Sequence, residues 1–193
     1  MKQSVTRALF AYWDALRGTR PAPDRAEIDP GAIRSCLART FVLAFDAEHG
    51  HPFRIAGTAL CETFGRELTG TAFERLWTHD ERPAICELIQ TVTQESEGVV
   101  VGVSGLNDAA PDAELELILL PLASASHGAG RVLGALSPVS ATYWLGARPV
   151  QSLRLGDMRF IRAAATARPA PIRGPGFVLY PAAPSAISRN CQG

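Results

Sequence analysis

The chain has 193 residues, 47 % of them apolar and 20 % charged, and its 19 basic and 19 acidic side chains cancel. That length suits one domain with a sizeable core plus extensions, and the composition argues against a disordered or membrane-embedded chain. A net charge of zero gives no field to steer the protein toward DNA, RNA or anionic lipid, so neither nucleic acid nor membrane is an expected partner.

The opening stretch MKQSVTRALFAYWDALRG carries Trp13, Asp14 and Arg17 where a signal peptide needs an unbroken apolar run, and no window resembles a membrane span. A cytoplasmic protein is expected. Cys36, Cys61, Cys86 and Cys191 are scattered without a CxxC pair, which predicts reduced, mostly buried thiols.

Val5, Leu9, Tyr12, Trp13 and Leu16 recur at helical spacing and predict an amphipathic helix ending near Gly18. A stripe with two large aromatics needs a partner surface. Prolines then predict an extended linker, and Asp29-Pro30 reads as an N-cap with Pro at the first position of a short helix to Leu37. Thr40–Asp46 and Pro52–Thr58 predict two strands joined by a hairpin turn at Gly50. The runs TALCETFG and TAFERLW predict short helical segments, and Ile85, Leu88, Ile89 and Val92 mark one face of a longer helix stopping at Gly98.

Three strands are predicted next, over Gly98–Leu106, Ala113–Ser124 and Gly130–Ser140. In the middle one Leu115, Leu117 and Leu119 alternate with Glu114 and Glu116, which places the two carboxylates on a solvent-facing side as solubilising charges. The second face turns apolar at Ile118 and Leu120, where the leading helix is expected to pack, either this chain's own or a partner subunit's. The stretch PVQSLRLGDMRFI predicts one or two further strands, AAATARPAPIRGPG a linker, FVLY a short docked segment, and PAAPSAISRNCQG a disordered end.

The order of two strands, short helices, a longer helix and a three-strand meander, behind an aromatic leading helix, resembles the PAS superfamily of sensor domains. More narrowly, YWDALRGTRPAPDRAEIDP, FVLAFD, FRIAGTALCETFGRELTGTAFERLW, LELILLPL and RVLGALSP resemble a bacterial group of largely stand-alone PAS proteins with this extension, over Leu9 to Thr142. The resemblance implies an α+β fold: a five-stranded antiparallel sheet with short helices on one face and an N-terminal amphipathic helix. Residues 1–37 are expected to form the helical extension, 38–145 the PAS core and 146–193 a C-terminal extension with a disordered tail.

PAS folds hold flavin, haem, other small ligands or nothing, so each needs its own test. The flavin photoreceptors of the superfamily carry a cysteine in a Gly-Asn-Cys-Arg-Phe type motif. Here Cys61 lies between Leu60 and Glu62, without the Asn and Arg neighbours, and reads as a small core residue. Haem in this fold takes a histidine on or before the long helix, which leaves His79, whose setting in THDER suits a helix cap or water instead. His49, His51 and His127 fall in predicted turns, and no metal-ligand spacing links them to the cysteines.

No nucleotide fingerprint or nucleophile elbow survives its context: GAGRVLG leads into a strand, and GVSGL lacks the second glycine at the required spacing. No enzymatic activity is therefore expected. A pocket under the short helices would be lined by Phe53, Ile55, Leu60, Cys61, Phe64, Phe73, Leu76 and Leu88, with Trp77 at its mouth. That apolar set fits a lipophilic small-molecule site and a plain core equally. The expected function is regulatory, through a homodimer or signalling partner held by Leu9, Tyr12, Trp13, Leu16, Ile118 and Leu120. The alternative is a sensor of a small ligand or haem.

Overall fold

The computed structural model describes residues 1–123 and 130–161 in full, together with the backbone of 172–174 and 177–179. Helix α1, Ser4–Arg17, forms where the apolar spacing predicts it and ends at Gly18, whose φ of 55° is a conformation glycine tolerates without a Cβ penalty. Its buried residues are Thr6, Leu9, Trp13 and Arg17.

The stretch after Pro30 is not a helix but a series of turns from 30 to 36, closed by a 3-10 turn at Leu37–Arg39. Asp29 accepts the N–H of Gly31 at 2.8 Å, an Asx turn that competes with helical pairing.

Strands β1, Thr40–Leu43, and β2, Phe53–Ala56, form the expected hairpin, but both are shorter than predicted. Helix α2, Thr58–Phe64, closes on Gly65 in the left-handed region, and the second short segment is a 3-10 turn, Phe73–Leu76. Helix α3, Arg82–Glu95, buries Ile85, Leu88, Ile89 and Val92 as their spacing requires, and ends at Ser96 (φ 54°) rather than at Gly98.

The meander follows as β3, Gly98–Asn107, β4, Ala110–Leu122, and β5, Arg131–Pro138. A sixth strand, β6, Ser152–Ile161, comes from the stretch assigned to the C-terminal extension and pairs antiparallel with β3. The sheet therefore has six strands rather than five, all antiparallel, in the order β2-β1-β5-β4-β3-β6. The compact unit that contains it runs from Met1 to Ala163. In the separate unit, β7, Ile172–Gly174, pairs with β8, Phe177–Leu179, which falls in the predicted FVLY segment. The predicted disordered end, Cys191 and His127 lie outside the described residues.

Period-two alternation puts β4 and β5 to work on both faces. Leu115, Leu117, Leu119, Val132 and Leu136 join an inner core under α2, α3 and the 3-10 turns. Ile118, Leu120, Leu133 and Ala135 join a second, outer core with Leu9 and Trp13 of α1. Each fully buried Leu, Ile or Val side chain contributes roughly 1.5–3 kcal/mol relative to exposure, so removing α1 would expose an outer core the sheet cannot leave bare. Among the described residues no helix is long and apolar enough to cross a membrane.

Candidate functional site

The inner core is built around four rings. Phe41 of β1 and Phe53 of β2 meet edge-on at 5.4 Å, and Phe73 packs against Phe41 at 5.5 Å and Phe53 at 5.7 Å. Trp77 closes the chain of rings against Phe73 at 5.8 Å. The Phe41–Phe73 pair is stacked and the other three are edge-to-face, both arrangements that add to the rings' area burial. One polar atom breaks the apolar character: the indole Nε1 of Trp77 is buried without a hydrogen-bond partner, in a residue 1 % exposed.

Of the residues predicted to line a pocket, Phe53, Leu60, Phe64, Phe73, Leu76, Trp77 and Leu88 are gathered in this core, and Cys61 packs at its border. Trp77 is fully buried rather than at a mouth. Ile55 is excluded. The register of β1 and β2 shifts between Val42 and Leu43, so Phe53 opposes Leu43 on the inner face while Ile55 opposes Val42 on the outer one. A one-residue bulge inverts the side on which later residues point, which simple alternation from Phe53 does not anticipate. Ile55 is 43 % exposed and lines a small apolar cleft with Ile28, Ile33 and Leu133.

The residues read as a partner face are engaged within the one chain. Leu9 and Trp13 are 0 % and 1 % exposed against Ile118 and Leu120. Leu16 is half-buried on the helix flank. The Tyr12 hydroxyl accepts the N–H of Asp29 at 2.7 Å and so straps the linker to α1. Glu114 is exposed as predicted, but Glu116 is not a solubilising charge: it is 4 % exposed under the N-terminus of α1. Its carboxylate accepts the N–H of Lys2 at 2.6 Å, the N–H of Gln3 at 3.0 Å and the Thr6 hydroxyl. Burial pushes its carboxyl up, but these donors outweigh it and hold it below the usual range. Alternation alone cannot reveal this, because a helix covers that side of the strand.

His79 is exposed in the 3-10 turn His79–Glu81 and lies outside the inner core, so haem ligation through it does not fit. The Cys61 thiol is pushed up by burial, with the neighbouring Glu67 carboxylate adding to the effect; it donates to Glu67 at 3.7 Å. A thiol held protonated suits packing better than reactivity. His51, by contrast, is not a turn residue facing water: it is 6 % exposed, with Nδ1 against the Glu74 carboxylate. Glu74 is 7 % exposed, and the Cys86 thiol donates to its Oε1 at 3.6 Å. Burial raises the Glu74 carboxyl, but the His51 bonds outweigh it and the net shift is downward; burial first, then Glu74, raise the Cys86 thiol. His51 and Glu74 are 23 residues apart, and no sequence spacing joins them.

A PAS-domain family model matches residues 1–137, and the chain belongs to the PAS domain family, a class of sensory and regulatory domains. A solved light-oxygen-voltage domain, described in work with a flavin analogue, is similar at 14 % identity and a TM-score of 0.45, covering 57 % of this chain and 83 % of that one. An RNA-binding light-oxygen-voltage receptor is similar at 17 % identity and a TM-score of 0.44, over 61 % of this chain but 35 % of its own length. No curated protein matches.

Proposed function

We propose that this chain is a cytoplasmic PAS-type regulatory module that acts through protein contacts, as a homodimer and with a signalling partner, and catalyses no reaction of its own. The observation that carries this reading is the seat of α1 on strands that also wall the inner core. On β4, Leu117 and Leu119 face inward while Ile118 and Leu120 bear the helix. A change in inner packing that shifts β4 therefore alters the surface holding α1, and a helix released or re-seated changes what the module offers a partner. The same apolar stripe would seat equally on a second copy, since exchanging one element between identical chains preserves its contacts. Light scattering over a wide concentration series tests this. A mass rising to twice that of the chain supports it, and a single-chain mass at every concentration counts against the homodimer.

A second reading, a sensor of a small apolar ligand, is favoured by Trp77. A buried donor without a partner costs about 1–3 kcal/mol, and a ligand carrying one acceptor oxygen would remove that cost. Native mass spectrometry of freshly purified protein, set against its denatured mass, decides it. Extra mass that is retained by the native chain but lost from Trp77→Phe supports the reading, and a bare-chain mass throughout opposes it.

A further inference from the structure

Three side chains from separate elements converge where the β1–β2 turn folds down onto α3. His51 leaves the end of the turn, Glu74 the 3-10 turn Phe73–Leu76, and Cys86 the first half of α3. A donor atom from each lies within 4.8 Å of the others. The turn is shaped around Glu74: Gly50 sits at φ 72°, and a Cβ there would stand 2.9 Å from Glu74 Oε1. The His51 backbone N–H donates to both Glu74 oxygens, at 3.1 and 3.3 Å, and so fixes the carboxylate's orientation. Oε1 then receives both the imidazole Nδ1 and the Cys86 thiol. Three groups, the His51 backbone N–H, its Nδ1 and the Cys86 thiol, thus converge on a single carboxylate oxygen.

We propose that His51, Glu74 and Cys86 form a three-ligand site for a borderline-soft divalent cation, with zinc as the best match. Imidazole nitrogen, carboxylate oxygen and thiolate sulfur are the three donor types zinc accepts, whereas calcium and magnesium take oxygen. The charges also close: a carboxylate, a thiolate and a neutral imidazole sum to minus two, so a divalent cation leaves the largely buried cluster neutral. Binding expels the Cys86 thiol proton to solvent, and the neutral imidazole carries its proton on Nε2 so that Nδ1 can bind the metal. His51 also lines an open cleft of about 480 Å³ with Phe45, Gln90, Thr93, Gln94 and Gly130. Of the three ligands His51 alone borders that cleft, so the site would meet solvent on the imidazole side, unlike a closed four-ligand structural zinc centre. Occupancy would clamp the β1–β2 turn to α3.

The full chain, purified under reducing conditions and stripped with chelator, is titrated with zinc by calorimetry and with cobalt by absorption. The site predicts one cation per chain and a thiolate-to-cobalt charge-transfer band. Cys86→Ser is expected to abolish that band and weaken zinc binding at least ~10-fold, the lower end of what even outer-shell partners cost. Cys61→Ser and Cys191→Ser should leave both unchanged. The proposal is overturned if the unsubstituted chain binds neither metal, or if Cys86→Ser, shown folded by circular dichroism, keeps the band and the affinity.

Discussion

The indole Nε1 of Trp13 donates to the carbonyl of Pro121 at 2.8 Å, pinning α1 to the end of β4. Apolar contacts alone allow a helix to slide or rotate, whereas a directed bond within a buried interface fixes one position. The surroundings hold the ring in place: Phe10 stacks at 6.1 Å and the Arg17 guanidinium lies 5.1 Å from its centroid. Trp13→Phe keeps most of the ring but leaves Pro121 without this donor, and is expected to cost about 1–3 kcal/mol. Trp13→Ala adds a cavity and should cost about 3–5 kcal/mol. Urea unfolding measures both, and coincident midpoints for the native chain and Trp13→Phe would show that the bond adds nothing.

The opposite end of α1 is tied by charge. Glu116 accepts the first backbone N–H groups of the chain, where the helix dipole and the terminal amine are both positive. Its carboxyl is held below the ordinary value near 4.3, so the folded state favours the ionised form. The stabilisation is present above that unfolded value and is lost as pH falls through the lower, folded one. Acid should therefore loosen α1, with a change in Trp13 fluorescence. Glu116→Gln keeps an acceptor but not the charge, so its stability should fall less steeply over the same acidic range. Parallel pH curves for the two proteins would rule Glu116 out as the titrating group.

The elements with strong periodicity were legible in the sequence: α1, α3 and the meander carry their apolar residues at the spacing of the structure they form. The inner core followed from the same patterns, with Leu60, Phe64, Phe73 and Leu88 found together. At the candidate site three features were not legible, each for a physical reason. The bulge that turns Ile55 outward depends on how β2 registers against β1, which is a property of the pair and not of either strand. The burial of Glu116 depends on a helix more than a hundred residues away in sequence. The convergence of His51 with Glu74 and Cys86 depends on a turn folding onto α3, and none of the three stands at a spacing that local structure would bring together. Sheet face and tertiary covering, rather than local propensity, decided these outcomes.

Gly134 on β5 shows how tightly the inner core is closed. It opposes Phe41 across β1 and Leu119 across β4, and the Phe41 ring lies over its Cα. A Cβ there would meet Phe41 Cε2 at 2.5 Å and the Ile118 carbonyl oxygen at 2.9 Å. The carbonyl belongs to a central strand and cannot retreat, so Phe41 must leave its rotamer and disturb Phe53 and Phe73. Gly134→Ala should destabilise by about 1–3 kcal/mol. The expected signature is a lower denaturation midpoint together with altered near-ultraviolet dichroism from the aromatic cluster. An unchanged midpoint would mean that the ring has space to move.

The edge strand β6 suggests a test of the proposed homodimer distinct from α1. Strand β6 stands at the end of the sheet order, and its far edge is unpaired with any described strand. Met158 and Phe160 are 47 % and 37 % exposed there, opposite Val101 and Val99 of β3. An open edge with exposed apolar side chains can pair with a second strand, although the exposed Arg154, Asp157 and Arg159 on β6 are charges of the kind that guard against it. If the homodimer pairs through β6, Met158→Lys combined with Phe160→Lys should reduce association at least ~10-fold, equivalent to about 1.4 kcal/mol. These exposed positions should leave the chain's own stability within about 0.5 kcal/mol. Sedimentation equilibrium reads the first effect and thermal unfolding at low concentration the second. A dimer unaffected by the two lysines would direct attention to an exchanged α1, where Trp13→Phe should weaken folding and association together.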